Sequence, residues 1–307
     1  MFYYWAFGLA IASEIEFPEL FEVQEGTCSD VKIRSGLVPA VIENTEGYNS
    51  EFLGISPEQF LYHIPGVASY FVENGKTITI SIDQDADLNE MRLYCLSNAF
   101  AALLHQRGLV PLHAAAFLHE EEIIMLMGSS GAGKSTTLAA LIDKGYDPFS
   151  DDICVPLDKK INGCWHAFSS YPMMKYWADT FEKVNLGNMN DQRRLKPALD
   201  KYGMFFHEKF ITSSRRIKLI ILLEKDSNVE KVSSRVLTGI EAFERLQAEA
   251  YRREYLGYEN MIQNHFKVLS AMAHDINIVL LTRPSNKGSV AEVVGSIESI
   301  LLNQSFL

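Results

Sequence analysis

Residues 123–144 read IIMLMGSSGAGKSTTLAALIDK, and the order of residue types in that stretch decides the fold. Positions 123–127 are an uninterrupted apolar run, as expected of a central strand buried on both faces. From Lys134 onward Leu138, Leu141 and Ile142 fall on one face of a helix, which Gly145 stops. Between strand and helix, Gly128-Ser129-Ser130-Gly131-Ala132-Gly133-Lys134-Ser135 fits the P-loop pattern G-x-x-x-x-G-K-[ST]. Glycine at 128, 131 and 133 permits dihedrals and close approaches that a Cβ would block. The loop's N–H groups then converge on a β-phosphate, and the helix N-terminus adds its positive dipole end. Lys134 supplies charge to the β- and γ-phosphates, and Ser135 a hydroxyl to Mg²⁺. The residues assigned to nucleotide contact are Gly128, Ser129, Ser130, Gly131, Ala132, Gly133, Lys134, Ser135 and Thr136, and the implied cofactors are ATP and Mg²⁺. The plainer alternative is a glycine-rich turn with an exposed lysine.

A second strand follows the helix and ends at Asp151-Asp152. Ligands meet an α/β sheet at the carboxyl ends of its strands. Two carboxylates there can divide labour, one holding metal and the other taking the proton of an attacking hydroxyl. They also suit a turn or helix cap, where Asp is common. His113, just before the loop's strand, faces the phosphates if a neighbouring strand carries it. A lone histidine is more often structural.

Residues 1–84 read as β-rich. Phe7 opens a short apolar run to Ile11. Asn74-Gly75, between VASYFV and KTITISI, signals a hairpin in which Ile78, Ile80 and Ile82 share the buried face. A helix over 87–106 follows, with Asp87 and Glu90 in capping-box spacing and Leu88, Met91, Cys95, Ala99 and Ala102 on one face, ended by Gly108. The boundary between an N-terminal β-rich domain (1–84) and a nucleotide domain (85–307) falls near 84 or at the end of this helix, and the former is preferred. Residues 217–223 and 277–282 read as further central strands. Helices are predicted over 238–253, 259–273 and 290–302. Strands alternating with helices imply an α/β sheet covered on both faces.

A chain of 307 residues, 47% hydrophobic and 22% charged, has globular composition and apolar mass for one large or two modest domains. A formal charge of -11 argues against nucleic acid as partner. The cysteines at 28, 95, 154 and 164 lack the close spacing of a zinc or redox pair, and suit a reducing compartment. The opening residues lack a basic n-region, and Glu14 and Glu16 come soon after, which argues against a signal peptide. No stretch reaches the roughly 18 apolar residues of a membrane span, so a soluble cytoplasmic protein is expected.

The stretch HAAAFLHEEEIIMLMGSSGAGKSTTLAALIDKGYDPFSDD, 113–152, resembles the HPr kinase/phosphorylase family and its kinase relatives, with a related loop in the phosphoenolpyruvate carboxykinase-like branch. The resemblance implies an α/β P-loop domain of that type beside a smaller β-rich domain. It implies that Asp151 is the general base for a serine hydroxyl, that Asp152 helps Ser135 hold metal, and that His113 and Lys134 stand at the transfer centre. ATP, Mg²⁺ and a homo-oligomer come with it. The sequence departs from the HPr enzymes after the aspartates. It lacks an acidic-glycine signature of the LEIRG-LG kind used for phosphorolysis, and carries YPMMKYW (171–177) and QRRLKP (192–197) instead.

The opening YYWAFGLAIASEIEFPEL (3–20) is similar to the start of the kinase-like proteins encoded with lasso-peptide biosynthesis. In that group the enzyme phosphorylates the C-terminal serine of the precursor peptide, so the implied partner is a peptide. An HPr-like carrier, a small hydroxylated acceptor and a nucleotide-binding regulatory module remain alternatives. Arg193, Arg194 and Lys196 either bind phosphate or the peptide's terminal carboxylate, or form a solvated loop. Arg215-Arg216 and Arg252-Arg253 read as ordinary surface charges, and Glu120, Glu121 and Glu122 as a turn. Arg283, at the end of a predicted strand, could approach the nucleotide, but is left without an assigned role.

Overall fold

The computed structural model describes residues 1–26, 28–42, 50, 52–184, 193–196, 199–285 and 290–303. Its first sheet is built from β1 (Phe2–Ala6), β2 (Leu9–Ser13), β3 (Phe21–Glu22), β4 (Val31–Ser35), β5 (Leu53–Ile55), β6 (Gln59–Ile64), β7 (Ala68–Glu73) and β8 (Thr77–Ile82). The strand order is β3-β1-β2-β4-β8-β7-β6-β5. Asn74 and Gly75 both take positive φ between β7 and β8, as the predicted hairpin requires.

The run from Phe7 is not one strand. Phe7 (φ 57) and Gly8 (φ 77) turn the chain between β1 and β2. A bulky residue at positive φ is locally disfavoured. Here burial outweighs that cost: the Phe7 ring stacks on Phe100 at 4.7 Å and meets Tyr171 edge-on at 5.6 Å. Gly8 is obligatory, because a Cβ there would lie 2.3 Å from the Phe168 ring.

α1 (Leu88–Tyr94) is capped by Asp87, which accepts from the N–H of Asn89 at 2.7 Å. A π turn (Cys95–Ala99) links it to α2 (Phe100–Gln106). The wide turn presents the Asn98 side chain, which accepts from the Tyr255 hydroxyl at 2.8 Å. Met91, Cys95, Ala99 and Ala102 are buried as expected, whereas Leu88, in the first turn, is 51% exposed. In packing the helix belongs with the first sheet: Met91, Leu96, Phe100 and Leu103 share a core with Tyr70, Ile78 and Ile80.

The rest of the chain runs β9 (Ala114–His119), β10 (Glu122–Met127), α3 (Lys134–Asp143), β11 (Pro148–Ser150), β12 (Cys154–Pro156), β13 (His166–Ser169), β14 (Met173–Trp177), α4 (Ala178–Lys183), β15 (Arg193–Lys196), β16 (Leu199–Phe205), β17 (Arg215–Asp226), β18 (Ser233–Leu237), α5 (Gly239–Ala248), α6 (Glu259–Asp275), β19 (Asn277–Pro284) and α7 (Val290–Leu302). β10, β17 and β19 are parallel neighbours at the centre of a mixed sheet, with β9 and β11 beyond β10 and β18 beyond β19. Side chains alternate across it. Ile123, Met125 and Met127 face Leu246, Leu269 and Met272 of α5 and α6. Ile124 and Leu126 face Leu138, Leu141, Val294 and Ile297 of α3 and α7. The chain is thus a mixed α/β protein with several β-sheets, the third being β14-β16-β15. Among the described residues no helix is long and apolar enough to cross a membrane. The Glu120-Glu121 turn joins β9 and β10; Glu120 pairs with Lys218 and Glu121 with Arg215, while Glu122, at the start of β10, pairs with Arg216.

α2 and α6 meet through two buried histidines, His105 Nδ1 lying 3.2 Å from His265 Nε2. Burial pushes His105 down to about 4, and burial with the neighbouring His105 pushes His265 down to about 3. Unfolded, both would titrate near about 6.5, so the unfolded chain takes up protons first as pH falls. Stability therefore falls between about pH 6.5 and 4, by on the order of 3 kcal/mol for His105. Thermal midpoints across that range should drop more steeply for the native chain than for a His105→Gln/His265→Leu variant. Parallel curves would contradict this.

Candidate active site

The register of β9 against β10 pairs Ala114 with Met127, so His113 lies level with Gly128 where the loop begins. Gly128 has φ 138, and a Cβ there would sit 2.3 Å from the Leu223 carbonyl oxygen of β17. Only glycine lets the loop leave the sheet so close to the next strand. Gly133 (φ 113) caps α3, whose first residue is Lys134. The Lys134 ammonium is buried and donates to the Gly128 carbonyl at 2.5 Å. Burial holds its pKa below the ordinary lysine value, against the raising effect of Glu249 and then of the Asp pair.

β11 runs antiparallel to β9, and β9 antiparallel to β10, so β11 points the same way as β10. Asp151 and Asp152 therefore emerge at the sheet edge that carries the loop. Asp151 is buried. It accepts from the Ser135 hydroxyl at 3.1 Å and from the Lys175 backbone N–H at 2.8 Å. Burial and then Asp152 raise its pKa. Asp152 has left-handed backbone (φ 75) and binds the Lys175 ammonium at 2.6 Å. Burial alone would raise Asp152, but Lys175 and then His113 outweigh it and hold the carboxyl well below the usual range.

His113 stands between Asp152 (Nε2 to Oδ1, 3.6 Å) and Glu249 (Nδ1 to Oε2, 4.0 Å). Its backbone N–H donates to the Glu249 carbonyl at 2.7 Å, which fixes the end of α5 beside it. Burial and then Lys134 push its pKa down to about 4, so the ring is neutral at pH 7. Glu249 is itself raised by burial, with Lys134 opposing.

These groups surround a cavity of about 360 Å³ lined by His113, Ser130, Gly131, Gly133, Lys134, Ser135, Thr136, Asp151 and Asp152 among others. Gly128, Ser129 and Ala132 shape the loop without lining the cavity. Five cations, Lys134, Lys175, Lys201, Lys225 and Arg283, line it against two carboxylates. A positive cavity in a chain of formal charge -11 focuses anions at this one place.

Lys175, Lys201 and Lys225 of that lining, and Glu249 beside it, escaped the sequence reading. Lys175 is a single cation inside the apolar YPMMKYW, and that isolation was the available signal. Lys201 and Glu249 have no local signature. Arg283, left without a role, reaches the loop: its Nε donates to the Ala132 carbonyl at 3.2 Å. In the 193–196 cluster Arg194 fits the solvated alternative. Arg194 is exposed, pairs with Asp200 and does not line the cavity. Its strand β15 lies outside β16 and turns Leu195 toward the α1 core, while β14 and β16 carry Lys175 and Lys201 to the cavity. The side chains of Arg193 and Lys196, with Gln192 and Pro197, lie outside the described residues.

Among the described residues no three His, Cys, Asp or Glu side chains form a metal cage. The donors that do stand together, Ser135, Asp151 and Asp152, are hard oxygens. Such a set suits Mg²⁺, which keeps several waters and takes few protein ligands.

No family model matches the sequence, and no curated protein matches it. Among solved structures the chain is similar to the HPr(Ser) kinase/phosphatase from Coxiella burnetii, at 12% identity and a TM-score of 0.31, over 62% of this chain and 92% of that one. That likeness is distant, and the roles of individual residues rest on the cavity itself.

Proposed function

We propose that this chain is an ATP-dependent phosphotransferase acting on a serine hydroxyl of a peptide, with the C-terminal serine of a lasso-peptide precursor as the favoured acceptor. The observation that carries the phosphotransfer reading is the meeting of a strand–loop–helix lysine and a carboxylate pair in one cation-lined cavity, with Asp151 3.1 Å from the Ser135 hydroxyl. The peptide reading is supported by the sequence resemblance of the opening stretch.

In this reading the loop amides, Lys134 and Arg283 bind the phosphates. Ser135 and Asp152 would hold Mg²⁺, which would supply neutralisation of phosphate charge. Asp151 accepts the proton of the acceptor hydroxyl. A carboxylate pushed upward by burial is the better base, while Asp152, committed to Lys175, stays ionised. His113 is neutral and can donate one hydrogen bond to the transferring group. The acceptor oxygen bonds to the γ-phosphorus as the β,γ-bridging bond breaks. ADP leaves with the electron pair, and the proton ends on Asp151.

The test is the product mass after incubation with ATP and Mg²⁺ of three acceptors: a peptide ending in serine, an HPr-like carrier protein and a small hydroxylated molecule. The peptide should gain one phosphoryl group. Gain by the carrier or the small molecule instead would overturn the peptide assignment, and ATP binding with no product would overturn phosphotransfer.

A further inference from the structure

The small sheet gives the cavity a wall that the nucleotide reading does not use. β14 and β16 pair antiparallel with Trp177 opposite Lys201, so these two side chains share a face. The Lys201 ammonium lies over the Trp177 indole, 5.5 Å from its centroid. Lys175, two residues before Trp177, points the same way, and all three line the cavity. Their charges are not equivalent. The Lys175 ammonium is met by Asp152 at 2.6 Å. Among the described residues Lys201 has no carboxylate at ion-pair distance, and its close partner is the indole face. A partly dehydrated ammonium that no carboxylate among the described residues meets at ion-pair distance favours an anionic ligand. The triphosphate already has the loop, Lys134 and Arg283. Lys201 instead shares its sheet with the lysine that holds the carboxylate pair, which is the hydroxyl side of the reaction.

We infer that Lys201, seated on Trp177, is an acceptor subsite that binds a carboxylate carried next to the hydroxyl to be phosphorylated. This rests on the phosphotransfer reading above and names what its acceptor must carry. The subsite selects free acids over acceptors whose carboxylate is blocked. A lysine, a compact point charge, suits one carboxylate without requiring a bidentate fork. The carboxylate can belong to a chain terminus or to a free hydroxy acid. In either case the new bond joins the acceptor oxygen to the γ-phosphorus, ADP is released, and the carboxylate is unchanged.

The experiment compares a short peptide ending in serine as free acid, the same peptide as C-terminal amide, and N-acetylserine, all with ATP and Mg²⁺. With the native chain kcat/KM for the acid should exceed that for the amide by about 10- to 100-fold, mainly through KM. Lys201→Met should bring the two within about threefold, and Lys201→Arg should keep the preference. A peptide favoured over N-acetylserine identifies a chain terminus as the source, and equal rates identify a free hydroxy acid. Equal turnover of acid and amide by the native chain would overturn the subsite and leave phosphotransfer standing. So would a Lys201→Met variant whose KM for ATP rises while the acid preference persists. Transfer to none of the three would sink the peptide-kinase reading, and the subsite with it.

Discussion

Asp151→Asn should slow phosphoryl transfer by about a thousandfold while ATP affinity stays within about threefold. The amide keeps the size of the carboxylate: its single oxygen can still accept from the Lys175 N–H and its NH2 can donate to the Ser135 hydroxyl oxygen, so the loop and the adjoining strand need not move. What it loses is proton affinity. The pH dependence gives a second reading of the same group. Asp151 is raised by burial and then by Asp152, so transfer should fall as pH drops through a pKa above the ordinary carboxylate range. His113, already neutral above about 4, adds no limb near neutrality. In Asp151→Asn the acid limb should vanish from the residual rate. Undiminished transfer would place the base elsewhere. A large loss of ATP binding would make Asp151 primarily a metal ligand.

Lys175→Met should be the most damaging change to stability in the site. Side-chain exposure is 5% for Lys175 and 20% for Asp152, so removing the ammonium strands a largely dehydrated carboxylate. Breaking such a pair costs about 3–5 kcal/mol. In a chain of this size that corresponds to a fall in Tm on the order of 10 °C. The backbone N–H of residue 175 still donates to Asp151, so the loss isolates the ion pair. Adding Asp152→Asn to the variant removes the uncompensated charge and should recover much of the Tm. A single variant as stable as the native chain, or a double variant no better than the single one, would contradict this account of the pair.

What the sequence made legible was local. The loop at 128–135 could be read because a strand, three glycines, a lysine and a helix follow one another within a few residues. The Asn74-Gly75 hairpin and the Asp87 cap were legible for the same reason. Asp151-Asp152 could be placed because strand ends converge on one edge of a sheet, although β11 reaches that edge through two antiparallel pairings. The Phe7-Gly8 turn was hidden, because only burial against Phe100 and Tyr171 makes phenylalanine acceptable at positive φ. Lys175 and Lys201 come together only through cross-strand register, and Glu249 through the pairing of its carbonyl with His113 N–H. Arg194, in the more conspicuous basic run, sits on β15, one strand out from the pair that carries the two lysines.

The central claim is that the loop and the Asp pair act on one phosphoryl group. Its most direct test is a single turnover with γ-labelled ATP and the serine-ending peptide, run side by side with the native chain and Asp151→Asn. Label should appear on the serine oxygen in step with ADP release for the native chain, and remain on bound ATP for the variant. Label that stays on ATP in both proteins, or reaches the serine equally in both, would contradict the account.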